Sequence, residues 1–270
     1  IKTRTENKGE AILPDIAEAI AEKCKKDGIA REDMEGIGIG IPAPVNEDGV
    51  VKNTANLGWG YKEVKRELEE LTGFKVEVGN DANMAALGEM WLGAGRGHKN
   101  LVMVTLGTGV GGGVIVGGRP LVGTNGAGGE IGHILANRQE TDKCGCGKKG
   151  CLEQYASATG IARLARIRLA KNNDMTLLRG QEITAKAVFD ALKEGDKVAE
   201  EIVEEFGAYL GYALADVAAV IDPSMFIIGG GVSKAGPIII QYVKKYFLEK
   251  AFFANEGTEF IIAVLGNDAG

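Results

Sequence analysis

Six apolar runs alternate with stretches of helical spacing, and this alternation constrains the fold of the chain more than any other feature. The runs are Ile37 to Ile41, Phe74 to Val78, Leu101 to Leu106, Gly113 to Val116, Met225 to Ile228 and Phe260 to Leu265. Several are rich enough in Ile and Val to be buried on both faces, as strands flanked by helices are. Between them, Ile12 to Lys26, Tyr61 to Leu71, Ala82 to Leu92, Glu153 to Lys171, Thr184 to Lys193, Lys197 to Val220 and Pro237 to Lys250 carry helix-like spacing. Gly73 has the position of a C′ cap, and Glu153 to Val220 reads as one uninterrupted helical block packed on a sheet. The record is therefore α/β, and 270 residues suffice for one large or two moderate domains.

A net charge of -6, with no basic stripe and no series of base-stacking aromatics, argues against nucleic acid as a direct partner. No apolar run is long enough to span a bilayer and no signal-peptide pattern opens the sequence, so a cytoplasmic protein with no membrane partner is expected.

His133, Cys144, Cys146 and Cys151 gather four soft ligands into one glycine-rich segment. Four N and S donors suit tetrahedral Zn²⁺ with no open position, so the metal is expected to hold a loop in shape rather than activate water. Disulfides are the competing reading, but clustered Cys and His in an intracellular protein favour metal. Cys-x-Cys is tight spacing, which Gly145 and Gly147 make feasible. Cys24, in a helical stretch, reads as a buried apolar residue.

Gly107, Gly109 and Gly112 satisfy G-x-G-x-x-G, with Glu130 about 20 residues further on. A dinucleotide fingerprint must open a helix, whereas these glycines lead into Val114–Ile115–Val116 and a Gly117–Gly118 turn, which reads as a β-hairpin. Such a loop with Thr108 can present N–H donors and a hydroxyl to phosphate oxygens, or be merely a tight hairpin.

Asp81 stands where a buried strand meets a helix. It can cap that helix, or act as a general base on a substrate hydroxyl. Asn56 and Asn80 carry amides suited to sugar hydroxyls, and either can equally be a turn residue. Glu130 and Glu153 would ordinarily be solvated, but each is tethered to a zinc ligand, His133 or Cys151, so the metal loop sets where they point. His133 has a second ring nitrogen to offer an oxygen partner. Gly229, Gly230 and Gly231 end a strand and precede a helix, an arrangement that accommodates an anion or a nucleotide face.

Together these segments resemble the ROK family of sugar kinases and sugar-responsive repressors, specifically its glucokinase branch. The resemblance is carried by Asn56–Leu57–Gly58–Trp59, Asn80–Asp81–Ala82–Asn83 continuing to Glu89, Leu106 to Gly113, Gly129 to His133, Cys144 to Glu153 and Ile227 to Ser233. It implies an actin/hexokinase-like (ribonuclease H-like) fold of two α/β domains with an interdomain cleft, divided at 98/99, with the sugar-side base in 1–98. The phosphate hairpin, zinc loop and adenosine-binding glycine turn would lie in 99–270.

By matching positions, Asp81 would activate the 6-hydroxyl of glucose, and Asn56, Asn80, Glu130, His133 and Glu153 would bind ring hydroxyls. Gly107, Thr108 and Gly109 would meet the phosphates of ATP with its Mg²⁺, and Gly229 to Gly231 the adenosine. His133, Cys144, Cys146 and Cys151 would hold structural Zn²⁺. The resemblance also implies a homodimer or homotetramer. Another hexose kinase, for N-acetylglucosamine, N-acetylmannosamine or fructose, and a sugar-sensing repressor stand as alternatives. The family's opening Asp-x-Gly-Gly-Thr turn and closing helix are not in the sequence, so a segment of a longer kinase, poor in phosphoryl transfer alone, is expected.

Overall fold

The computed structural model describes residues 1–54, 56–266 and 269; the expectation about the closing stretch 266–270 lies mostly outside them. Two compact units emerge, Ile1–Met84 with Leu121–Gly128, and Ala85–Pro120 with Gly129–Ala269. The division differs from the expected 98/99 in two segments. The chain passes from one unit to the other inside a helix, where Ala86 is buried with Leu101, Met103, Ile115, Met225 and Ile227 of the second unit. Residues 121–128 return to the first unit, where Gly126 abuts Val45 so closely that a Cβ would lie 2.4 Å from its carbonyl oxygen.

The first unit contains α1 (Ile12–Asp27), β1 (Ile37–Ile41), β2 (Val50–Val51), β3 (Lys62–Glu63), α2 (Val64–Thr72), β4 (Val76–Asn80) and the start of α3 (Asp81–Leu92). Strands β1 and β4 pair in parallel, from Ile37 opposite Val76 to Ile41 opposite Asn80. Its core is Ile12, Leu13, Ile41, Val45, Val51, Leu57, Trp59 and Val64. Gly73 ends α2 in the left-handed region with its N–H on the Glu69 carbonyl, as a C-terminal cap requires. β4 starts two residues later than the apolar run because Phe74 is spent at the helix end, under the Arg31 guanidinium at 4.5 Å.

The second unit is built on one five-stranded sheet, β5 (Leu101–Leu106), β6 (Val110–Val116), β7 (Arg119–Pro120), β8 (Met225–Gly229) and β9 (Glu259–Ile262), in the order β7-β6-β5-β8-β9. β5, β6 and β7 form an antiparallel meander, and β8 and β9 continue it in parallel. This is the actin/hexokinase-like arrangement. Alternation divides the central strands between two layers. Val102, Val104, Leu106, Phe226 and Ile228 face the helical core of α4 (Glu153–Ala156), α5 (Ala158–Lys171), α6 (Ala185–Lys193), α7 (Lys197–Ile221) and α8 (Ile238–Lys250). Leu101, Met103, Met225 and Ile227 face Ala86 of α3.

Three expectations are corrected. The helical block from Glu153 to Val220 is interrupted at Ser157, which is extended at ψ 170, and again by the connections after Lys171 and Lys193. Strand β9 stops at Ile262 because the Val264 and Leu265 amides turn away to Glu89 Oε1, at 2.9 and 2.8 Å. Cys24 is half-buried, 3.9 Å from the Met34 sulfur. Among the described residues no helix is long and apolar enough to cross a membrane.

Candidate active site

The glycines after β5 form a hairpin turn, because Leu106 pairs directly with Val110 and the Gly107 amide closes on the Gly109 carbonyl at 3.0 Å. The interruption at Ser157 serves this turn. Its side chain caps α5 through the Gly160 amide at 2.9 Å, while Ala158 donates to the Gly107 carbonyl and the Thr159 hydroxyl to the Thr108 carbonyl, both at 2.8 Å. Thr108 itself is exposed. The glycine turn after β8 packs behind β5, since a Cβ on Gly230 would lie 2.6 Å from the Leu106 backbone. A 3-10 turn, Gly231–Ala235, stands between it and α8. The Ser233 hydroxyl donates to the Gly230 carbonyl at 2.7 Å.

Glu130 precedes and His133 ends a short 3-10 turn, Ile131–His133, laid along β6. Absent side chains permit this contact: a Cβ on Gly112 would meet the Gly129 carbonyl at 2.3 Å, and one on Gly132 the Val110 carbonyl at 2.1 Å. The chain then forms a two-limbed loop through isolated bridges Leu135–Cys151 and Lys143–Lys149. His133, Cys144, Cys146 and Cys151 bring their ligand atoms within 4.8 Å of one another. Cys146 Sγ lies 3.6 Å from Cys151 Sγ, and Cys144 Sγ 3.9 Å from His133 Nδ1. A tetrahedron with Zn–S bonds of about 2.3 Å has edges of about 3.8 Å. The donor set therefore fits Zn²⁺.

Glu153, the first residue of α4, stands between this loop and the hairpin. Its Oε1 accepts from the Cys144 thiol at 2.8 Å and lies 3.9 Å from His133 Nδ1. Its Oε2 would be 2.6 Å from a Cβ on Gly109. Glu130 Oε2 is 3.9 Å from the other ring nitrogen of His133, Nε2. The second unit thus brings Glu130, His133, Glu153, the cysteines and the hairpin into one neighbourhood.

In the first unit, α3 is capped by Asn80. Its Oδ1 accepts from the Ala82 and Asn83 amides at 3.0 and 3.2 Å, and its Nδ2 donates to the Ala43 carbonyl at 3.2 Å. The Asp81 carboxylate takes local backbone amides instead, that of Ala82 at 2.8 Å and its own. One face of Asp81 is open to solvent, yet the protein packed around the carboxyl raises its pKa above the ordinary value, with the amides opposing that rise. Asn56 is exposed at the tip of a loop closed by Thr54 and Trp59, where the Trp59 amide donates to the Thr54 hydroxyl at 3.0 Å.

Sequence reasoning missed Glu140, Tyr155 and Arg163, which interlock behind the metal loop, and the structural role of Glu89. The Glu89 side chain is buried and accepts three backbone amides, those of Ala94, Val264 and Leu265. Its signal in the sequence was only an acidic residue near the end of an apolar helix.

Comparison with known proteins agrees with this geometry. The sequence profile of the ROK family matches residues 1–270. The chain is 43% identical to a glucokinase of Halalkalibacterium halodurans, over 100% of this chain and 84% of that protein. It superposes on a ROK family glucokinase from Streptomyces griseus in complex with glucose and AMPPNP, with TM-score 0.79 and 35% identity over 100% of this chain and 87% of that one. A ROK family transcriptional regulator, a homolog of the E. coli MLC protein, superposes with TM-score 0.85 at 27% identity, over 96% of this chain and 65% of the regulator. The chain therefore belongs to the ROK family, within the branch that contains glucokinases.

Proposed function

We propose that this chain is an ATP-dependent hexose kinase that phosphorylates the 6-hydroxyl of glucose. The observation that carries the chemical part is the division of labour at the start of α3: Asn80 caps the helix, and Asp81 keeps a carboxylate of raised pKa held by local backbone amides alongside an exposed face. A base needs those properties. Asp81 accepts the hydroxyl proton as the sugar oxygen bonds to the γ-phosphorus, and the bond from that phosphorus to the bridging oxygen breaks, releasing ADP.

Glu130, His133 and Glu153 bind ring hydroxyls, with Asn56 and the remaining Asn80 N–H as further polar contacts. Since the Gly107 amide is used inside the turn, the hairpin's donors for phosphate are the Thr108 and Gly109 amides and the Thr108 hydroxyl. Gly229, Gly230 and Gly231 form the adenosine side. Mg²⁺ bound with ATP supplies charge neutralisation on the phosphates. Zn²⁺, held by His133, Cys144, Cys146 and Cys151, keeps the loop in shape. The working protein is a cytoplasmic homodimer or homotetramer, to be checked by light scattering.

The test is a panel of glucose, fructose, N-acetylglucosamine and N-acetylmannosamine with ATP and Mg²⁺, read as sugar-dependent ADP release. Glucose is expected to give the highest kcat/KM, and preference for another sugar would reassign the substrate. The likeness to a transcriptional regulator favours one second reading, a sugar-responsive repressor. Sugar-sensitive DNA retardation without ADP release would establish it.

A further inference from the structure

The tip of the metal loop has little apolar support. Residues 145–149 are exposed, and Cys144 and Cys146 reach the ligand cluster from this end. The limb before Cys144 is tied to the rest of the unit through its side chains and backbone at 140–142, with one carboxylate at the centre. Glu140, with its side chain 7% exposed, accepts from the Thr141 and Asp142 amides at 2.8 and 2.9 Å, from Arg163 Nη2 at 2.7 Å and from the Tyr155 hydroxyl. Arg163 also donates to the Asp142 carboxylate at 3.0 Å and lies over the Tyr155 ring. That ring stacks on Tyr209 of α7, with centroids 4.0 Å apart.

The other limb is tied to the same place. Gln154 Oε1 accepts from the Cys151 amide and its Nε2 donates to the Asp142 carbonyl, both at 3.1 Å. The approach to Cys144 and the departure from Cys151 are thereby both joined to α4 and α5, and α4 begins with Glu153.

We infer that Glu140 and Arg163 are positioning residues that preset the metal loop, holding the Cys144 and Cys151 limbs at ligand spacing so that zinc binding does not have to order them. This rests on the zinc reading above. The physical argument is preorganisation: a ligand set already in place binds without the cost of fixing its backbone, and a loop that must first be ordered binds more weakly by that cost. The pair is also poorly replaced by half, since removing one charge leaves the other facing a partner built for it. Glu140 and Arg163 bond to each other, to Tyr155 and to residues 141–142, and act on the ligand limbs through these, with Gln154 joining Asp142 to Cys151.

The experiment measures the zinc Kd of the full chain at neutral pH by competition with a chromogenic chelator. Wild type is compared with Glu140→Gln, Arg163→Met and the milder Tyr155→Phe. Supporting partners of metal ligands are typically worth 10- to 100-fold in metal affinity, so Kd is expected to rise by roughly that factor in the first two variants and by less in the third. The sugar KM should rise with it and return towards wild type in excess zinc, which a merely structural defect would not do. An unchanged zinc Kd in folded Glu140→Gln overturns the inference. If that variant does not fold, an unchanged Kd in Tyr155→Phe does so instead. The wild-type arm reports the zinc reading alone: absence of tight zinc there removes both readings, whereas tight zinc in every variant removes only this one.

Discussion

Gly109 and Glu153 are packed so closely that a Cβ on the glycine would lie 2.6 Å from the glutamate's Oε2. The turn proposed for phosphate and a carboxylate proposed for sugar thus share one van der Waals boundary. Because the obstructed atom ends a flexible side chain, Gly109→Ala should cost little stability yet turn the Glu153 carboxylate away. We expect a Tm near wild type and a sugar KM raised roughly tenfold, the scale of one lost buried hydrogen bond. Gly107→Ala is the control, since a Cβ there meets nothing within 4 Å. A sugar KM unchanged in Gly109→Ala would separate Glu153 from the substrate.

Asp81→Asn removes a base while leaving the Asn80 cap intact. Turnover should fall by about 10² to 10⁴. The stability effect has the opposite sign. A carboxyl whose pKa is raised in the folded state contributes stability at low pH that is lost as pH rises through the folded value. At neutral pH the ionised form is the costly one, so the Asn variant should melt at or slightly above the wild-type temperature. Near-normal turnover would end the base assignment.

Asn80→Ala should do the reverse. Loss of an N-cap costs about 0.5–2 kcal/mol, and here the Ala82 and Asn83 amides lose their acceptor. Thermal melts should show the drop, and Asn80→Asp, which keeps the cap acceptor but sets a carboxylate oxygen against the Ala43 carbonyl, should recover only part of it. Equal melting of Asn80→Ala and wild type would mean that the cap lies elsewhere.

Glu140 makes the metal loop sensitive to acid. Although burial opposes ionisation, the Tyr155 hydroxyl, the Asp142 amide and Arg163 hold its pKa down at about 2, against an ordinary 4.5. A depressed carboxyl contributes stability that is complete above pH 4.5 and lost as pH falls towards 2, at most about 3 kcal/mol. Melting curves across that window should fall more steeply for wild type than for Glu140→Gln. Parallel curves would remove Glu140 from the acid response.

Metal analysis should find one zinc per chain, and chelation should weaken sugar binding, because His133, Glu130 and Glu153 all lie on or beside the ligand loop. Sugar affinity that survives complete removal of zinc would make the loop peripheral to the site.

Strand and helix types, the hairpin at Gly107 to Gly109 and the ligand set from His133 to Cys151 were determined by the sequence itself. Each depends on neighbours along the chain: Ile and Val runs long enough to be buried, glycines leading into Val114–Ile115–Val116, and soft ligands in one short segment. Tertiary structure decided what depends on partners distant in sequence. Asn80 and Asp81 are equally good caps by type, and only the parallel pairing with β1, which places Asn80 opposite Ile41 with its amide on Ala43, selects between them. The helical pattern runs through Ser157, yet the Ala158 amide is drawn to Gly107, about 50 residues earlier. Val264 and Leu265 continue an apolar run, but Glu89 takes their amides. Glu140 and Arg163 look like ordinary surface charges, and only the folding of the loop back onto α5 buries one against the other. Periodicity is written locally, whereas the partner of a charged or capping side chain is set by where the chain crosses itself.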